Sequence, residues 1–241
     1  MESKVGVAAA RPCVMALDGA SCRGVPRRYK GTHVIPDDRS RWDHQVHEVR
    51  PEEIPSVYGA LARAFEDDPV TEFLFPDFAS RISRLRAFYR VTMPMLYAHG
   101  RFYADEGLRA GAVWQRPLPP RVGPLQTFFT LARTGLVLRG RARAGLALAR
   151  AIEAMRVRRP HWYLGILGTQ PADQERGLGS ALITPVLQEC DRTGELAYLE
   201  SSKAANIPFY ERHGFEVMSE VRVPGGPALW PMLRKPRGAG A

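Results

Sequence analysis

Cysteine is scarce in this chain: Cys13, Cys22 and Cys190 are its only thiols, odd in number and widely spaced. That excludes a disulfide framework and a zinc site built on paired cysteines, so no metal site is expected and a reducing, cytoplasmic setting fits best. Cys190 falls within a predicted helix, where a buried thiol is the ordinary outcome. No run of 18 apolar residues occurs, so no helix is expected to cross a membrane. Two phosphate-binding signatures are also missing. No Gly-Lys is followed by Ser or Thr, and Gly165 and Gly168 stand before Pro171 in the wrong register for a dinucleotide fingerprint. Neither a Ser-His-Asp nor a Cys-His arrangement stands out, which speaks against a covalent nucleophile.

Acidic residues are in deficit, with 25 Asp and Glu against 34 Lys and Arg, a formal net charge of +9. Most of the excess sits between Ala132 and Pro160, where eight arginines face only Glu153. The aromatic residues that a single-strand binder interleaves with its cations are absent there, since Phe128 and Phe129 precede the arginines and Trp162 follows them. A solvated helix face that attracts acidic ligands is the plainer reading, with a membrane-surface helix behind it. Neither a specific nucleic acid nor a membrane is therefore expected as a partner.

Residues 1–43 lack sustained helical or strand periodicity and read as an N-terminal extension; Val5 to Ala10 is too short for a signal peptide. Regular patterning begins at His44, and residues 44–236 form one predicted domain, with 237–241 as a flexible tail. Gln45 to Arg50 suits a first strand. Pro51 then opens a helix whose apolar face is Ile54, Val57, Leu61, Ala64 and Phe65. A second helix spans about 79–98, and strands around 102–104 and 112–115 form a hairpin. A helical insert over about 120–159 carries helices near 125–139 and 142–157. A strand over 161–169, a helix to about Asp191, a strand ending near Ser202 and a short helix closed by Gly214 complete the pattern. The fold class is α/β, a twisted mixed sheet flanked by helices.

The chemistry concentrates in Gln174-Glu175-Arg176-Gly177-Leu178-Gly179-Ser180, between the strand over 161–169 and the helix that follows. A glycine-rich turn feeding a helix leaves several backbone N–H groups unsatisfied, and the helix dipole adds partial positive charge at the same point. A Cβ at Gly177 or Gly179 would block close approach of a diphosphate. An anionic cofactor is the leading expectation.

The remaining signature, Gln-x-x-Gly-x-Gly, resembles the pyrophosphate loop of the Gcn5-related N-acetyltransferases (GNAT superfamily). The resemblance extends through Leu199-Glu200-Ser201-Ser202, the run from Asn206 through Pro208-Phe209-Tyr210-Glu211-Arg212 to Gly214-Phe215, and the closing Met232-Leu233-Arg234-Lys235-Pro236. Over about 161–236 it is nearest in kind to puromycin N-acetyltransferase and its relatives, which puts antibiotic resistance among the possible roles. Upstream, only Ala64-Phe65-Glu66-Asp67-Asp68-Pro69 is similar. The resemblance implies acetyl-CoA as donor and transfer of its acetyl group to a primary amine of a small molecule, by direct attack with both substrates bound. A non-catalytic acetyl-CoA sensor and an acetyltransferase acting on protein amines are the alternatives, and the chain is expected to be a monomer or homodimer.

Roles follow residue by residue. By the resemblance, the strand before the loop and the strand carrying Glu200 splay apart to admit the pantetheine arm, held by backbone groups of Leu167, Gly168 and Thr169. An N–H near Leu167 would polarise the thioester carbonyl. Gln174 through Ser180 hold the diphosphate, with Glu175 turned to solvent and offset by Arg176. Asn206 matches a side chain on the CoA arm, though it also suits a helix N-cap. Tyr210 matches the general acid, and its phenol is protonated at neutral pH. An amine attacks only when neutral, and Glu200 is the candidate base, acting directly or through water. Asp67 and Asp68, expected at the end of the first helix, are candidates for holding a cationic amine.

Overall fold

The computed structural model describes residues 45–98, 100–117 and 124–238. The expected extension over 1–43 lies outside the described residues, as do Cys13 and Cys22. In chain order the elements are β1 (Val46–Glu48), α1 (Ile54–Ala64), α2 (Pro69–Leu74), α3 (Phe78–Tyr97), β2 (Gly100–Asp105) and β3 (Ala110–Gln115). Then come α4 (Pro124–Leu138), α5 (Ala142–Met155), β4 (His161–Thr169), α6 (Leu178–Thr193) and β5 (Leu196–Ser201). The chain ends with α7 (Ile207–Arg212), β6 (Phe215–Val217), β7 (Val221–Arg222) and β8 (Ala228–Arg234).

The strands form one open mixed sheet in the order β1-β2-β3-β4-β5-β8-β6, with β7 on β8. Only β4 and β5 run parallel, because α6 carries the chain back over the sheet between them. One face of α6, through Leu178, Leu182, Ile183, Val186 and Cys190, buries against Ala112, Trp162, Leu164 and Leu199. Burial pushes the Cys190 thiol up to about 12, so it stays protonated packing material.

Opposite α6, the helix α1 lies close on the sheet for a specific reason. A Cβ on Gly168 would come within 2.7 Å of the Phe65 ring and 3.1 Å of Ala64 Cβ, and one on Gly111 within 2.8 Å of Val57. The two bare positions on β3 and β4 let α1 approach to contact. Its residues Val57, Leu61 and Ala62 then join Phe75, Leu85, Tyr89 and Met93 in a second buried cluster.

Two expectations are corrected at the start of the domain. The first helix opens at Ile54 rather than Pro51. The Glu53 carboxylate accepts from the Arg50 backbone N–H at 2.8 Å and from its guanidinium, and sits 2.9 Å from His47 Nε2, so residues 50–53 close a turn instead. Asp68 does not end α1; it starts the separate helix α2, accepting from the N–H groups of Val70 and Thr71 as its N-cap. The insert between β3 and β4 is α4 and α5, tied down by arginines. Arg84 on α3 donates to the carbonyls of Val137 and Leu138 at the end of α4, and Arg141 donates to Phe73 O at 2.5 Å while covering its ring.

Candidate active site

The site begins where β4 and β5 stop pairing. Their parallel register runs from His161 beside Leu196 to Leu164 beside Leu199, and there it ends, although β4 continues to Thr169 and β5 to Ser201. Opposite Val113 and Trp114 of β3, Gly165 is an extra residue in β4, a bulge that re-aims the strand. Beyond the bulge β4 still pairs with β3, but its other edge has no strand partner among the described residues. Such an edge offers N–H and C=O groups to any extended ligand laid against it.

The loop after β4 is shaped by its own side chains. Gln174 Nε2 donates to Thr169 O at 3.1 Å, and Gln170 Nε2 to Asp173 Oδ2 at 2.6 Å. Glu175 and Gly177 both adopt left-handed backbone, with φ of 60° and 84°. Glycine takes that conformation without strain, whereas Glu175 holds it at some cost. Glu175 is exposed, as expected. The Arg176 guanidinium pairs with Asp173 Oδ1 at 2.7 Å, and Arg109 reaches the same oxygen at 3.5 Å. Those cations hold the Asp173 carboxyl below the usual carboxylate range, after the Gln170 hydrogen bond that lowers it most.

At the start of α6 the first intrahelical bond runs from Ala181 N to Gly177 O, and no side chain caps the end. The N–H groups of Leu178, Gly179 and Ser180 therefore have no helical acceptor and define an anion-binding terminus. Leu178 turns its side chain into the core and contributes backbone only. Gly179 is tight: a Cβ there would stand 3.3 Å from Phe209 Cζ.

Loop, strand edge and α7 enclose a cleft of about 630 Å³, the size of a small-molecule site. It is lined by Leu167, Gly168 and Thr169 from β4, by Gln174, Glu175, Gly177, Leu178, Gly179 and Ser180, and by Asn206 and Tyr210. Asn206 makes no side-chain cap bond, which leaves its carboxamide for the cleft. Tyr210 is buried against Phe209 and Phe215, with ring centroids 5.1 and 6.0 Å away. Burial, and then the Asp68 carboxylate, push its phenol well above the ordinary value.

Asp68 lines the same cleft and is only 4% exposed. Besides capping α2 it accepts from the Ser202 hydroxyl, and burial raises its pKa despite those bonds. Asp67 stays outside the cleft and pairs with Lys203 at 2.7 Å. Arg176 is also absent from the lining.

Glu200 lies at the end of β5, on the strand expected to part from β4. Ala197 and Leu199 of β5 face α6, so Tyr198 and Glu200 point to the opposite face, as does Tyr163 between Trp162 and Leu164. Glu200 thus stands beside the parting of the strands but does not line the cleft of the glycine-rich loop. Its Oε1 is buried without a hydrogen-bond partner. Burial pushes its carboxyl up, against the Tyr163 and Tyr198 phenols and the Arg156 charge, which draw it down.

One pair escaped sequence reasoning. Ser180 Oγ lies 2.9 Å from His213 Nε2, although the two are far apart in the chain. Burial first, then Arg212, Arg237 and Arg234, lower the imidazole to about 4, so it is neutral at pH 7. Phe65, Lys203 and Arg212 at the cleft were likewise missed; only the closeness of Arg212 to Tyr210 on one short helix hinted at it.

Residues 142–235 match the family model described as the acetyltransferase (GNAT) domain. Over 54 residues the chain is 43% identical to an uncharacterised N-acetyltransferase of Schizosaccharomyces pombe, a match spanning 22% of this chain and 22% of that relative's length. Among solved structures, one described as histone acetyltransferase HPA2 and related acetyltransferase, from Corynebacterium glutamicum, is 22% identical with a TM-score of 0.61, covering 82% of this chain and 99% of that one. Arylalkylamine N-acetyltransferase 2 of Aedes aegypti is 12% identical with a TM-score of 0.53, covering 81% and 100%. An agmatine N-acetyltransferase is 17% identical with a TM-score of 0.51, covering 80% and 100%. At these identities the likeness is one of fold. Nothing in them singles out puromycin N-acetyltransferase.

Proposed function

We propose that the chain carries a GNAT acetyltransferase domain, whose family model matches residues 142–235, and that it is an acetyl-CoA-dependent N-acetyltransferase acting on a primary amine of a small molecule. The observation that carries this reading is the uncapped N-terminus of α6 opening into the same cleft as the unpaired edge of β4. The first fits a diphosphate and the second an extended amide-bearing arm, which is the composition of the CoA chain. Bound there, acetyl-CoA supplies a thioester-activated acetyl group and a thiol leaving group.

The residues divide the work. N–H groups of Leu178, Gly179 and Ser180, after the left-handed turn at Gly177, hold the diphosphate. Gln174 keeps the loop closed on Thr169. Backbone groups from Leu167 to Thr169 would align the arm, an N–H near Leu167 would polarise the thioester carbonyl, and Asn206 would add a side-chain bond. Tyr210 keeps its proton far above neutral pH, because burial and Asp68 both oppose ionisation, and it donates that proton to the departing sulfur. Glu200, raised by burial, is poised to accept the amine's proton.

Release of free thiol from acetyl-CoA, followed across a panel of primary amines, tests the proposal. Amine-dependent release with an acetylated product by mass spectrometry supports it. Tight acetyl-CoA binding with no release for any amine would favour a sensor instead.

A further inference from the structure

On the face of the sheet away from α6, a set of polar and aromatic groups surrounds Glu200, outside the lining of the loop cleft. Tyr163 and Tyr198 are register partners on β4 and β5, with ring centroids 6.1 Å apart. His161 continues the wall, 5.2 Å from the Tyr198 ring. The Tyr198 hydroxyl donates to Met155 O at the end of α5 at 3.2 Å, which ties the wall to the helical insert. One residue on, Arg156 places its guanidinium carbon 5.3 Å over the Tyr163 ring.

Both charged groups of this set keep capacity for a further partner. The Tyr163 and Tyr198 phenols already act on the Glu200 carboxylate, but its Oε1 is buried without a hydrogen-bond partner, and a donor that reached it would remove that cost. Arg156 is held only loosely, 4.0 Å from Glu153 and 3.5 Å from Gln115 Oε1, with about a third of its side chain exposed. The Tyr163 side chain stands between them, its phenol against Glu200 and its ring face under Arg156.

We infer that the acceptor is a primary amine that also carries an anionic group, of the amino-acid class, with its ammonium on Glu200 and the aromatic wall and its anion on Arg156. This rests on the acetyltransferase reading above. An ammonium is attracted by a carboxylate and by aromatic faces. A simple alkylamine entering here would bring a second cation beside Arg156, and a diamine would bring two. An amino acid instead sets opposite charges against both groups, and its carboxylate suits the two-pronged geometry of a guanidinium. Arg158 and Arg159 reinforce the bias, since Glu153 is the sole acid of the α4–α5 insert.

The test compares phenylalanine with phenethylamine, which differ by the carboxylate alone, and adds agmatine as a dication. Wild type is expected to favour phenylalanine at least tenfold in kcat/KM over either amine. Arg156→Gln should shift the phenylalanine-to-phenethylamine ratio by about 10- to 100-fold, the worth of a charge-assisted bond, and Arg156→Lys should restore part of it. A preference for phenethylamine or agmatine, or a ratio unmoved by Arg156→Gln, overturns the inference. If acetyl-CoA binds but no amine releases thiol, the acetyl-transfer reading fails separately. Calorimetric titration of phenylalanine and phenethylamine into the CoA-loaded protein then decides the binding claim, and tighter phenethylamine, or no binding of either, refutes it.

Discussion

Replacing Tyr210 by Phe removes one oxygen and one proton from the proposed chemistry and little else. The ring keeps its edge-on contacts with Phe209 and Phe215, so the packing part of its burial is retained. Loss of the hydroxyl costs about 1 kcal/mol of stability if that group is satisfied in the fold, a shift of roughly 2–4 °C in Tm for a domain of this size. Turnover should change far more. If the phenol donates its proton to the thiolate, its removal lowers kcat by about 100- to 10,000-fold, the usual worth of general acid catalysis. Acetyl-CoA affinity should hold, because the diphosphate contacts lie on α6. The wild-type phenol is pushed up by burial and by Asp68, so no alkaline limb from Tyr210 should appear below about pH 10. Steady-state kinetics, calorimetry and a melting curve on the one variant separate the cases. A kcat within twofold of wild type, whatever the melting curve, would refute the reasoning.

Further outcomes are expected. Gly179→Val should abolish measurable acetyl-CoA binding by calorimetry with a modest loss of Tm, since its Cβ already presses on Phe209 at 3.3 Å and its methyl groups would crowd the helix terminus. His213 has a folded pKa of about 4 against an unfolded value near 6.5. Its contribution is therefore complete above about pH 6.5 and is lost as pH falls towards 4, because the unfolded chain takes up a proton that the folded state refuses; the loss is at most about 3 kcal/mol. Urea unfolding of wild type and His213→Asn at pH 7 and pH 4.5 should show the steeper pH dependence in wild type, and equal slopes would count against a buried neutral imidazole. The arginines of α4 and α5 should give weak, strongly salt-dependent binding to duplex and single-stranded nucleic acid. Submicromolar, sequence-selective binding at physiological salt would contradict that.

The sequence determined whatever depends on neighbours along the chain. The strand His161–Thr169 and the helices near 125–139 and 142–157 lie where periodicity predicts them, because an apolar stripe of fixed period has one way to be buried. Gly177 takes its left-handed turn because the local backbone demands it, and the diphosphate loop is correspondingly legible as a motif. Tertiary structure decided everything that rests on distant partners. Pro51 suggests a helix start, but His47 and Arg50 recruit Glu53 into a turn first. Asp67 and Asp68 read alike as acids at a helix end, and only the cap of α2 and Ser202 bury Asp68 in the cleft with Tyr210 while Asp67 faces Lys203. Ser180 and His213 meet only because α7 returns across the start of α6. Glu200 has no forecastable neighbours: strand alternation gives it one of two faces, and only the sheet order and the insert bring Tyr163, Tyr198 and Arg156 to that face. The glycine-rich motif over 174–180 is contiguous and therefore written in the sequence. The surroundings of Glu200 are assembled from β4, β5 and the end of the helical insert, whose meeting is a property of the fold.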